Sequence, residues 1–500
     1  MTRFGLLLFT FFCGFGADES VANSLQETFR RPVALAWASD DLLVVANRDT
    51  GSISVLDVNK RRVLGEVVVG ERLSSLSSLL GTPFLVAADE EANELLLLES
   101  NGATVAVRDR ISVPHSPVNV LVSKDNSFAV VASLWARQVS LIRVDVDQGK
   151  LFPERVTNLP FPPRGQWMDA VGRKLVLTDA FSDQLAALRL PELDLVSVRS
   201  LPGHNIGGIA LAPDGKDLLF SHQSLNPFVP TTRPRVFWGS VMQNGIAGLA
   251  VKDIFDSTRS PNLPFARRKH YPVGQNGKGA GEPGPMAFTS RGELILGIRG
   301  TGEIAVAKTL DAEWIRIPVG RRPVAVLLDA SHRFAYFADI FGDAIRVVEI
   351  SKPALAASIS LGPTPKPGLL QVGEILFHNS QLSLDGWYSC NSCHTGGHTS
   401  GMRNDNFDDH SFGTPKRIPS LLGTAETGPW TWNGLQGSLT LQVRQSLATT
   451  LLNPDGLYSS SAGYCTIARL YSLVCSTTVQ APHFPSLITQ CVPKPSSHSP

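Results

Sequence analysis

The sequence predicts a mainly β protein, a seven-bladed β-propeller followed by a small α-helical domain. A strand–turn–strand pattern recurs seven times between residues 30 and 350. Its spacing of roughly 40–50 residues is typical of propeller blades with about four strands each. The chain contains 43 glycines and 34 prolines, which indicates many turns. The composition changes abruptly after a proline-rich stretch at 351–369, which we interpret as a linker.

Length and charge narrow the functional classes. The 500 residues are enough for two or three domains. The 45 basic and 44 acidic residues give a formal charge of +1, so the composition offers no basic surface for nucleic acid.

The first residues are typical of an export signal. Arg3 precedes an apolar run at 4–15, and Gly14-Phe15-Gly16 or Phe15-Gly16-Ala17 supplies a cleavage site. The run is shorter than the ~20 residues that a membrane-spanning helix needs. We therefore expect a signal peptide at 1–17, a periplasmic or secreted location, and no transmembrane span after its removal. A buried N-terminal strand is the alternative.

Each predicted blade combines alternating strands with tight turns. A single sheet of this kind cannot bury both faces, whereas sheets stacked around an axis can. Turn pairs such as Asp40-Asp41 and Asp214-Gly215 fall where a hairpin needs turn-forming residues. One or two β-sandwiches are the alternative, but the repeat keeps its phase throughout. The units lie at 32–58, 82–99, 117–144, 167–190, 207–222, 285–307 and 323–350.

Two blades carry a more specific pattern. The first contains VVANRDTGSISVLDV and the last contains AYFADIFGDAIRVVEI. These stretches resemble the YVTN-type propeller family, in which a strand ending in V-[AT]-N precedes an I-x-V-[IL]-D strand. The resemblance implies the fold of residues 30–350 and no chemistry.

One long segment, 222–284, interrupts the repeat. It is rich in proline, glycine, asparagine and aromatic residues, and loops of this length are usually functional or disordered. Four of its residues could line a site above the propeller channel or dock the next domain. They are His222, Trp238, His270 and Tyr271. An ordinary surface loop is the alternative for each of them.

The stretch WYSCNSCHTGGH, at 387–398, carries the clearest chemistry. It contains Cys390-x-x-Cys393-His394, the attachment signature of a covalent c-type haem. The two thiols bind the porphyrin, and His394 becomes the proximal iron ligand. A zinc site would need a second ligand pair, and a thioredoxin-like centre would need a βαβ context; the sequence has neither. We expect one covalent haem c in a cytochrome c domain at 370–452.

The residues themselves leave the distal iron ligand open. Met402 follows His394 by only eight residues, too few to reach the other face of the haem. His398 would need a tight reversal of the chain. His410 has the loop length to cross the haem, and the absence of any distal ligand is the remaining alternative.

The frame around the haem motif is more informative. A glycine, an apolar-aromatic pair and Leu-Ser precede SCxxCH, and a histidine, a basic residue before Ile-Pro-Ser-Leu, Trp-Asn-Gly and a glutamine follow it. These anchors are Gly373, Leu376-Phe377, Leu382-Ser383, His410, Arg417, Trp432-Asn433-Gly434 and Gln442. The arrangement at 373–447 resembles the N-terminal haem domain of bacterial dihaem cytochrome c peroxidases and of the related methylamine-utilisation dihaem enzymes.

The resemblance implies a role for each matching residue. His394 would be the proximal ligand and His410 a removable distal ligand. Trp432 would lie on an electron path, and Gln442 would lie in the distal pocket. Simple packing on the porphyrin is the alternative for Trp432, and an exposed helix position is the alternative for Gln442.

Two features depart from that family. Its catalytic glutamate has no counterpart, because no acid follows Gln442 before Asp455, and peroxide cleavage needs a group that moves a proton. Its second haem motif is also missing. We expect residues 453–500 to form an irregular or disordered tail, in which Cys465, Cys475 and Cys491 could supply one disulfide of undetermined pairing.

Together these features predict an exported haem protein that exchanges electrons with a redox partner protein and reduces hydrogen peroxide, with the propeller as a docking or substrate-recognition platform. One alternative is a non-catalytic bis-His electron-transfer or sensor module. The other is a propeller dehydrogenase or lactonase with the haem as electron outlet, although His204, His222 and His270 are scattered in the sequence. The sequence does not decide whether the protein is an enzyme.

Overall fold

The computed structural model describes residues 28–201, 203–260 and 269–453. The predicted signal peptide at 1–17 lies outside these described residues. So does the predicted tail at 453–500 with its three cysteines, except for residue 453. Within them are seven four-stranded antiparallel sheets whose strands follow in chain order, so the seven-bladed propeller is confirmed. No helix in this described part is long and apolar enough to cross a membrane.

The strands of the seven blades are short and regular. Blades one to four comprise β1 (Pro32–Ser39), β2 (Leu42–Asn47), β3 (Ser52–Asp57), β4 (Arg62–Val68), β5 (Leu73–Ser78), β6 (Phe84–Asp89), β7 (Glu94–Asn101), β8 (Thr104–Ser112), β9 (Pro117–Val122), β10 (Phe128–Ser133), β11 (Gln138–Asp145), β12 (Lys150–Asn158), β13 (Pro163–Met168), β14 (Lys174–Asp179), β15 (Gln184–Arg189) and β16 (Asp194–Ser200). Blades five to seven comprise β17 (His204–Leu211), β18 (Asp217–Leu225), β19 (Met242–Ala250), β20 (Lys269–Pro272), β21 (Pro283–Phe288), β22 (Leu294–Ile298), β23 (Glu303–Ala307), β24 (Ile315–Pro318), β25 (Pro323–Leu328), β26 (Phe334–Asp339), β27 (Ala344–Glu349) and β28 (Ala354–Ser360).

Apolar cores lie between neighbouring blades. A separate buried cluster joins each adjacent pair, and the one between the seventh and first blades closes the ring. In that closing cluster, Val45 of β2 packs with Tyr336 of β26 and Ile345 of β27. The two middle strands of a blade therefore have core on both faces, which explains their continuous apolar runs.

Polar contacts reinforce the ring closure. The backbone amides of Arg30 and Arg31, just before β1, donate to the Asp343 carboxylate of the seventh blade at 3.0 and 2.9 Å. The Arg30 side chain also pairs with Glu66 of β4 at 2.9 Å. The first and seventh blades are thus joined by buried charge-assisted bonds as well as by the shared core.

Two predicted boundaries need correction. The interrupting segment 222–284 contains the outer half of the fifth blade, β19 and β20, together with two short helices, α1 (Arg233–Phe237) and α2 (Val251–Ile254). The predicted linker 351–369 contains β28, which pairs with β27 as the outer strand of the seventh blade. In both places the need to complete a four-stranded sheet overrides weak local strand propensity.

The C-terminal domain, residues 369–453, is small and helical, as predicted. Its regular elements are α3 (Leu369–Phe377), α4 (Cys390–Cys393), α5 (Leu439–Thr449) and a ribbon of β29 (Arg403–Asn404) with β30 (Lys416–Arg417). Single 3₁₀ turns lie at 380–382, 384–386, 395–397, 407–409 and 424–426. The core of the domain continues into the propeller, because Val236 and Val241 of the β18–β19 connection pack with Leu376 and Trp387. This connection docks the C-terminal domain.

Candidate haem site

The haem-attachment turn, residues 390–394, is a single helical turn that presents its three functional side chains to one cavity. The His394 amide donates to the Cys390 carbonyl oxygen at 2.9 Å, which closes the turn. Gly396 and Gly397 follow with φ of 61° and 75°, a left-handed backbone that glycine adopts without strain. Cys390, Cys393 and His394 all line the same cavity.

The cavity has a volume of about 440 Å³, and every residue that lines it belongs to the C-terminal domain. A cavity of this size falls within the range of cofactor pockets. Its wall is mainly apolar, as a porphyrin requires, and the aliphatic lining residues are Ile418, Leu421, Leu439, Val443, Leu447 and Leu451.

His394 is held in the tautomer that binds iron. Its Nδ1 lies 3.1 Å from the Pro419 carbonyl oxygen, which can only accept, so Nδ1 carries the proton. The lone pair of the neutral ring is therefore on Nε2. Burial lowers the pKa of His394 to about 4, which keeps the ring neutral at physiological pH.

The two cysteines form no disulfide, and their chemistry differs from that of a redox pair. Burial, with a contribution from Cys390, raises the pKa of Cys393 to about 12. Reactive thiols of thioredoxin-like motifs instead have a lowered pKa. The raised pKa of Cys393 is thus the opposite of what a thioredoxin-like redox centre requires.

These residues fit a c-type haem. Cys390 and Cys393 would hold the porphyrin edge, and His394 would bind the iron. The carboxylates of the haem would find cationic partners in the lining residues Lys416 and Arg417.

The structure does not bring the predicted distal ligand into the cavity. His410 is exposed, has φ of 63°, and its ring packs at 6.0 Å from that of Phe407. His398 faces the propeller, with its ring 4.9 Å from that of Phe181, and its Nδ1 lies 2.6 Å from the Ser420 hydroxyl. Among the described residues, the only histidine that lines the cavity is His394, and no methionine does. That His410 binds the iron stays a prediction.

The other two predicted site residues, Trp432 and Gln442, both line the cavity. Trp432 is 65% exposed and lies at the rim. Gln442 is half-buried on α5, where its Nε2 donates to the Ser446 hydroxyl at 3.1 Å. Its buried Oε1 has no hydrogen-bond partner, so the side chain has an acceptor available inside the site.

Asp408 is a cavity residue that the sequence did not single out. Its carboxylate accepts hydrogen bonds from the Thr449 hydroxyl and, at 3.3 Å, from Asn406 Nδ2. The Asp408 carbonyl oxygen also accepts from Gln445 Nε2 at 2.8 Å, which ties the loop to α5. Burial raises the pKa of Asp408. Only the acidic pair at 408–409 was a signal in the sequence, and its position depends on how the loop packs against α5.

The propeller holds the other side of the haem-attachment turn. Glu282, just before β21, is fully buried and accepts hydrogen bonds from the Ser389 hydroxyl and from Asn391 Nδ2, the latter at 2.9 Å. It also pairs with Arg322 at 2.8 Å. His204 Nε2 donates to the Ser392 carbonyl oxygen at 2.9 Å. Burial opposes ionisation of Glu282, but the charges of Arg322 and Arg299 outweigh it and lower the pKa to about 2.

Fold and site define a β-propeller protein with a C-terminal c-type haem domain. Residues 367–464 match the family model described as di-haem cytochrome c peroxidase, which confirms the resemblance of the C-terminal domain to that family.

Comparison with solved structures shows a likeness of fold. Hydrazine synthase from Kuenenia stuttgartiensis matches with a TM-score of 0.55 and 20% identity, over 65% of this chain and 97% of that chain. A functionally unknown protein from Desulfotomaculum acetoxidans DSM 771 matches with a TM-score of 0.48 and 12% identity, over 64% of this chain and 95% of that chain. No curated protein matches the chain.

Proposed function

We propose that this chain is an exported haem protein that takes electrons from a redox partner protein and reduces hydrogen peroxide in the cavity of its C-terminal domain. The match to the di-haem cytochrome c peroxidase family implies a haem electron-transfer or peroxidase-like role. The observation that carries the finer proposal is the composition of the cavity, where Asp408 and Gln442 share the lining with Cys390, Cys393 and His394.

In this proposal, some residues of the chain hold the cofactor and others transfer protons. A bound haem supplies one-electron chemistry and an iron that peroxide can reach. Reduction of one peroxide to two waters consumes two electrons, which the partner protein provides, and two protons. Cleavage of the O–O bond is accelerated by a group that transfers a proton between the two oxygens.

Asp408 supplies that group in place of the missing glutamate. Its hydrogen bonds to Thr449 and Asn406 fix the carboxylate in the cavity wall. Gln442 orients the peroxide, because its unpartnered Oε1 accepts a hydrogen bond from the hydroperoxide.

The position of His410 favours an open iron over a stable bis-His pair. The proposal is supported by the described lining of the cavity, in which His394 is the only imidazole, so peroxide would need to displace no histidine of that lining. The propeller, in this proposal, is the platform that fixes the haem-attachment turn through Glu282. We also propose that the chain carries one haem, since it contains one CxxCH motif.

The test uses the full haem-loaded chain. Haem content per chain is measured first, and the reduced protein is then mixed with hydrogen peroxide while absorbance and peroxide are followed. We expect one haem, a high-spin iron and consumption of peroxide with oxidation of the haem. A low-spin spectrum that peroxide does not change would overturn the proposal.

The His410→Gly variant distinguishes an open distal site from an iron that His410 binds. An unchanged high-spin spectrum supports an open distal site. A change from low-spin to high-spin would show that His410 binds the iron in solution. Export is checked independently, by recovery of the haem-loaded protein in the periplasmic or secreted fraction without residues 1–17.

A further inference from the structure

The channel mouth of the propeller, just below the haem-attachment turn, carries a cluster of arginines that peroxide reduction does not use. Three of them immediately precede an innermost strand, Arg31, Arg72 and Arg322. Two follow the second strand of a blade, Arg48 and Arg299. The two sets occupy backbone positions that pair with each other. The Arg48 amide donates to the Arg31 carbonyl oxygen at 3.0 Å, and the Arg299 amide donates to the Glu282 carbonyl oxygen at 2.9 Å. Equivalent positions in a propeller lie at the same end of the channel.

Arg164, the second residue of β13, completes the cluster. A methyl group at Gly396, two residues beyond His394, would lie 3.3 Å from Arg164 Nη2. The guanidinium of Arg164 therefore lies against the segment that follows the haem-attachment turn. Its ring neighbour is Phe181, whose centroid is 5.6 Å from the guanidinium carbon.

Carboxylates neutralise only part of this charge. Arg31 pairs with Glu374 at 2.8 Å, Arg48 pairs with Glu90, and Arg322 pairs with Glu282 at 2.8 Å. In the part of the chain that the structure describes, Arg72, Arg164 and Arg299 form no ion pair within 4 Å. More distant carboxylates still act on them: Glu90 on Arg72 and Arg164, Asp179 on Arg164, and Glu282 on Arg299. These three arginines are half-buried, and a surplus of positive charge held partly out of water is costly unless a counter-charge is present.

The hydrogen-bond donors of the cluster show the same deficit. Arg322 is 7% exposed, and its Nη1 has no partner among the described residues. The Nε atoms of Arg299 and Arg72 are also buried without a partner there. Each unsatisfied buried donor costs about 1–3 kcal/mol, and the cost is higher for a charged group. Three such donors at one end of a channel point to a missing acceptor.

The charges of the central arginines also act on one another. Burial, followed by the charges of Arg322 and Arg164, lowers the pKa of Arg299 to about 10, against the opposing effect of Glu282. Burial likewise lowers the pKa of Arg164, with smaller contributions from the charges of Arg48 and Arg322, against the opposing charges of Glu90 and Asp179. Like charges in such proximity are stabilised by an anion placed between them.

We propose that the channel mouth binds a small oxyanion or carboxylate between Arg164, Arg299 and Arg322. Planar guanidinium groups bind oxyanions and carboxylates through paired N–H donors. At this site Arg322 Nη1 and Arg299 Nε are the donors without a partner, and Arg164 contributes its charge. The haem carboxylates have the same chemistry, but the haem cavity is lined by Lys416 and Arg417 and by no arginine of the channel. The occupant is therefore a free anion from solution.

Calorimetric titration of the haem-loaded full chain with inorganic phosphate, at constant ionic strength, tests the proposal. We expect one saturable site per chain. Arg299→Gln and Arg164→Gln should each weaken phosphate binding about tenfold or more, because each removes a charge-assisted donor. Arg299→Lys keeps the positive charge but loses the paired N–H donors of the guanidinium, so it should give an intermediate affinity for phosphate. Arg322 is left unchanged because its loss would strand the buried Glu282.

A matched control is Arg199→Gln. Arg199 is a buried arginine of β16, and it donates to the backbone carbonyl oxygens of Asp253 and Asp256, away from the channel mouth. This variant should bind phosphate like the unmodified protein. Absence of saturable binding would overturn the proposal and would mean that water satisfies these donors. An equal loss of binding in the Arg199 and Arg299 variants would also overturn it, because phosphate would then not bind at the channel mouth.

A second measurement does not depend on the variants folding. The unmodified haem-loaded protein should show a melting temperature that rises with phosphate concentration and does not rise with sodium chloride of equal ionic strength. An equal response to both salts would contradict a specific anion site. Neither experiment measures peroxide consumption, so the anion site and the proposed function can fail separately.

Discussion

Asn391, the first residue between the two cysteines of the haem motif, donates from its side-chain amide to the carboxylate of Glu282 at 2.9 Å. The two residues are 109 positions apart in the sequence, and both are buried. Glu282 also accepts from Ser389 and pairs with Arg322 of the seventh blade. The propeller is therefore part of the structure that supports the haem site, and the position of the haem-attachment turn depends on the sixth and seventh blades.

The Glu282→Gln variant should destabilise the protein by about 3 kcal/mol, because it leaves Arg322 buried without its counter-charge. Denaturant unfolding of the haem-loaded protein, followed by haem absorbance, measures the change. Glu293→Gln is the control, since Glu293 pairs with Arg291 on the surface and such pairs contribute about 0–1 kcal/mol. An equal loss in both variants would contradict a special role for Glu282.

Acid should destabilise the protein through the same carboxylate. The folded pKa of Glu282, about 2, lies below its ordinary value of 4.5, so its contribution is complete above pH 4.5 and is lost as the pH falls towards 2. The difference corresponds to about 3 kcal/mol. Buried His204, whose pKa is lowered to about 4 by burial, adds a loss that begins below pH 6.5.

Comparison of the unmodified protein with the Glu282→Gln variant isolates the contribution of the Glu282 carboxylate to acid destabilisation. The histidine contribution is common to the unmodified protein and to Glu282→Gln, whereas the loss between pH 4.5 and 2 should be smaller in the variant. Stability curves against pH, measured by denaturant unfolding, would disprove the assignment if their slopes coincided in this window.

The features that could be predicted from the sequence are those that depend on residues close together in the chain. The blades were visible because alternating strands and tight turns are local patterns, and the haem motif was visible because its ligands lie within five residues. The third strand of the fifth blade, β19, and the outer strand of the seventh blade, β28, were missed. β19, MQNGIAGLA, is poor in strand formers, and β28 lies among prolines.

The support of the site was not predictable in the same way. Asp408 approaches α5 and Glu282 approaches Asn391 only after distant segments pack together. The sequence contains many single acidic residues in predicted loops. Only the folded structure shows which of them lie at the haem site. The arginines of the channel mouth, Arg164, Arg299 and Arg322, likewise become a cluster only when blades four, six and seven meet around one axis.

Close packing at the junction of propeller and haem domain makes Gly274→Ala destabilising. A methyl group there would lie 2.7 Å from the ring of Trp387, a residue that is 4% exposed. Overpacking of this kind costs about 1–3 kcal/mol. Gly437→Ala is the control, because a methyl group at Gly437 meets nothing within 4 Å. Thermal unfolding of both variants provides the measurement, and similar melting temperatures would refute the prediction.

The exposed indole at the cavity rim should contact the electron donor. Trp432→Ala is expected to raise KM for a reduced partner protein by about fivefold or more, because exposed tryptophans at the centre of an interface commonly contribute over 1 kcal/mol. Trp238→Ala is a matched control. Trp238 is 62% exposed, against 65% for Trp432, but it lies on the β18–β19 connection and does not line the cavity. Equal effects of the two variants on KM would argue against docking at the rim.

Asp408 should be needed for peroxide cleavage rather than for peroxide binding. Asp408→Asn keeps an oxygen that accepts from Thr449 and removes the group that transfers a proton, so we expect kcat to fall about 10²–10⁴-fold while KM for peroxide stays within a few-fold. Asp405→Asn is the control on the same loop, since Asp405 accepts from the Gly413 amide at 2.9 Å and does not line the cavity. Stopped-flow measurement of peroxide consumption by the haem-loaded variants distinguishes the roles. If Asp408→Asn retained full kcat, proton transfer would have to come from water or from another residue, and Asp408 would be a structural anchor for α5.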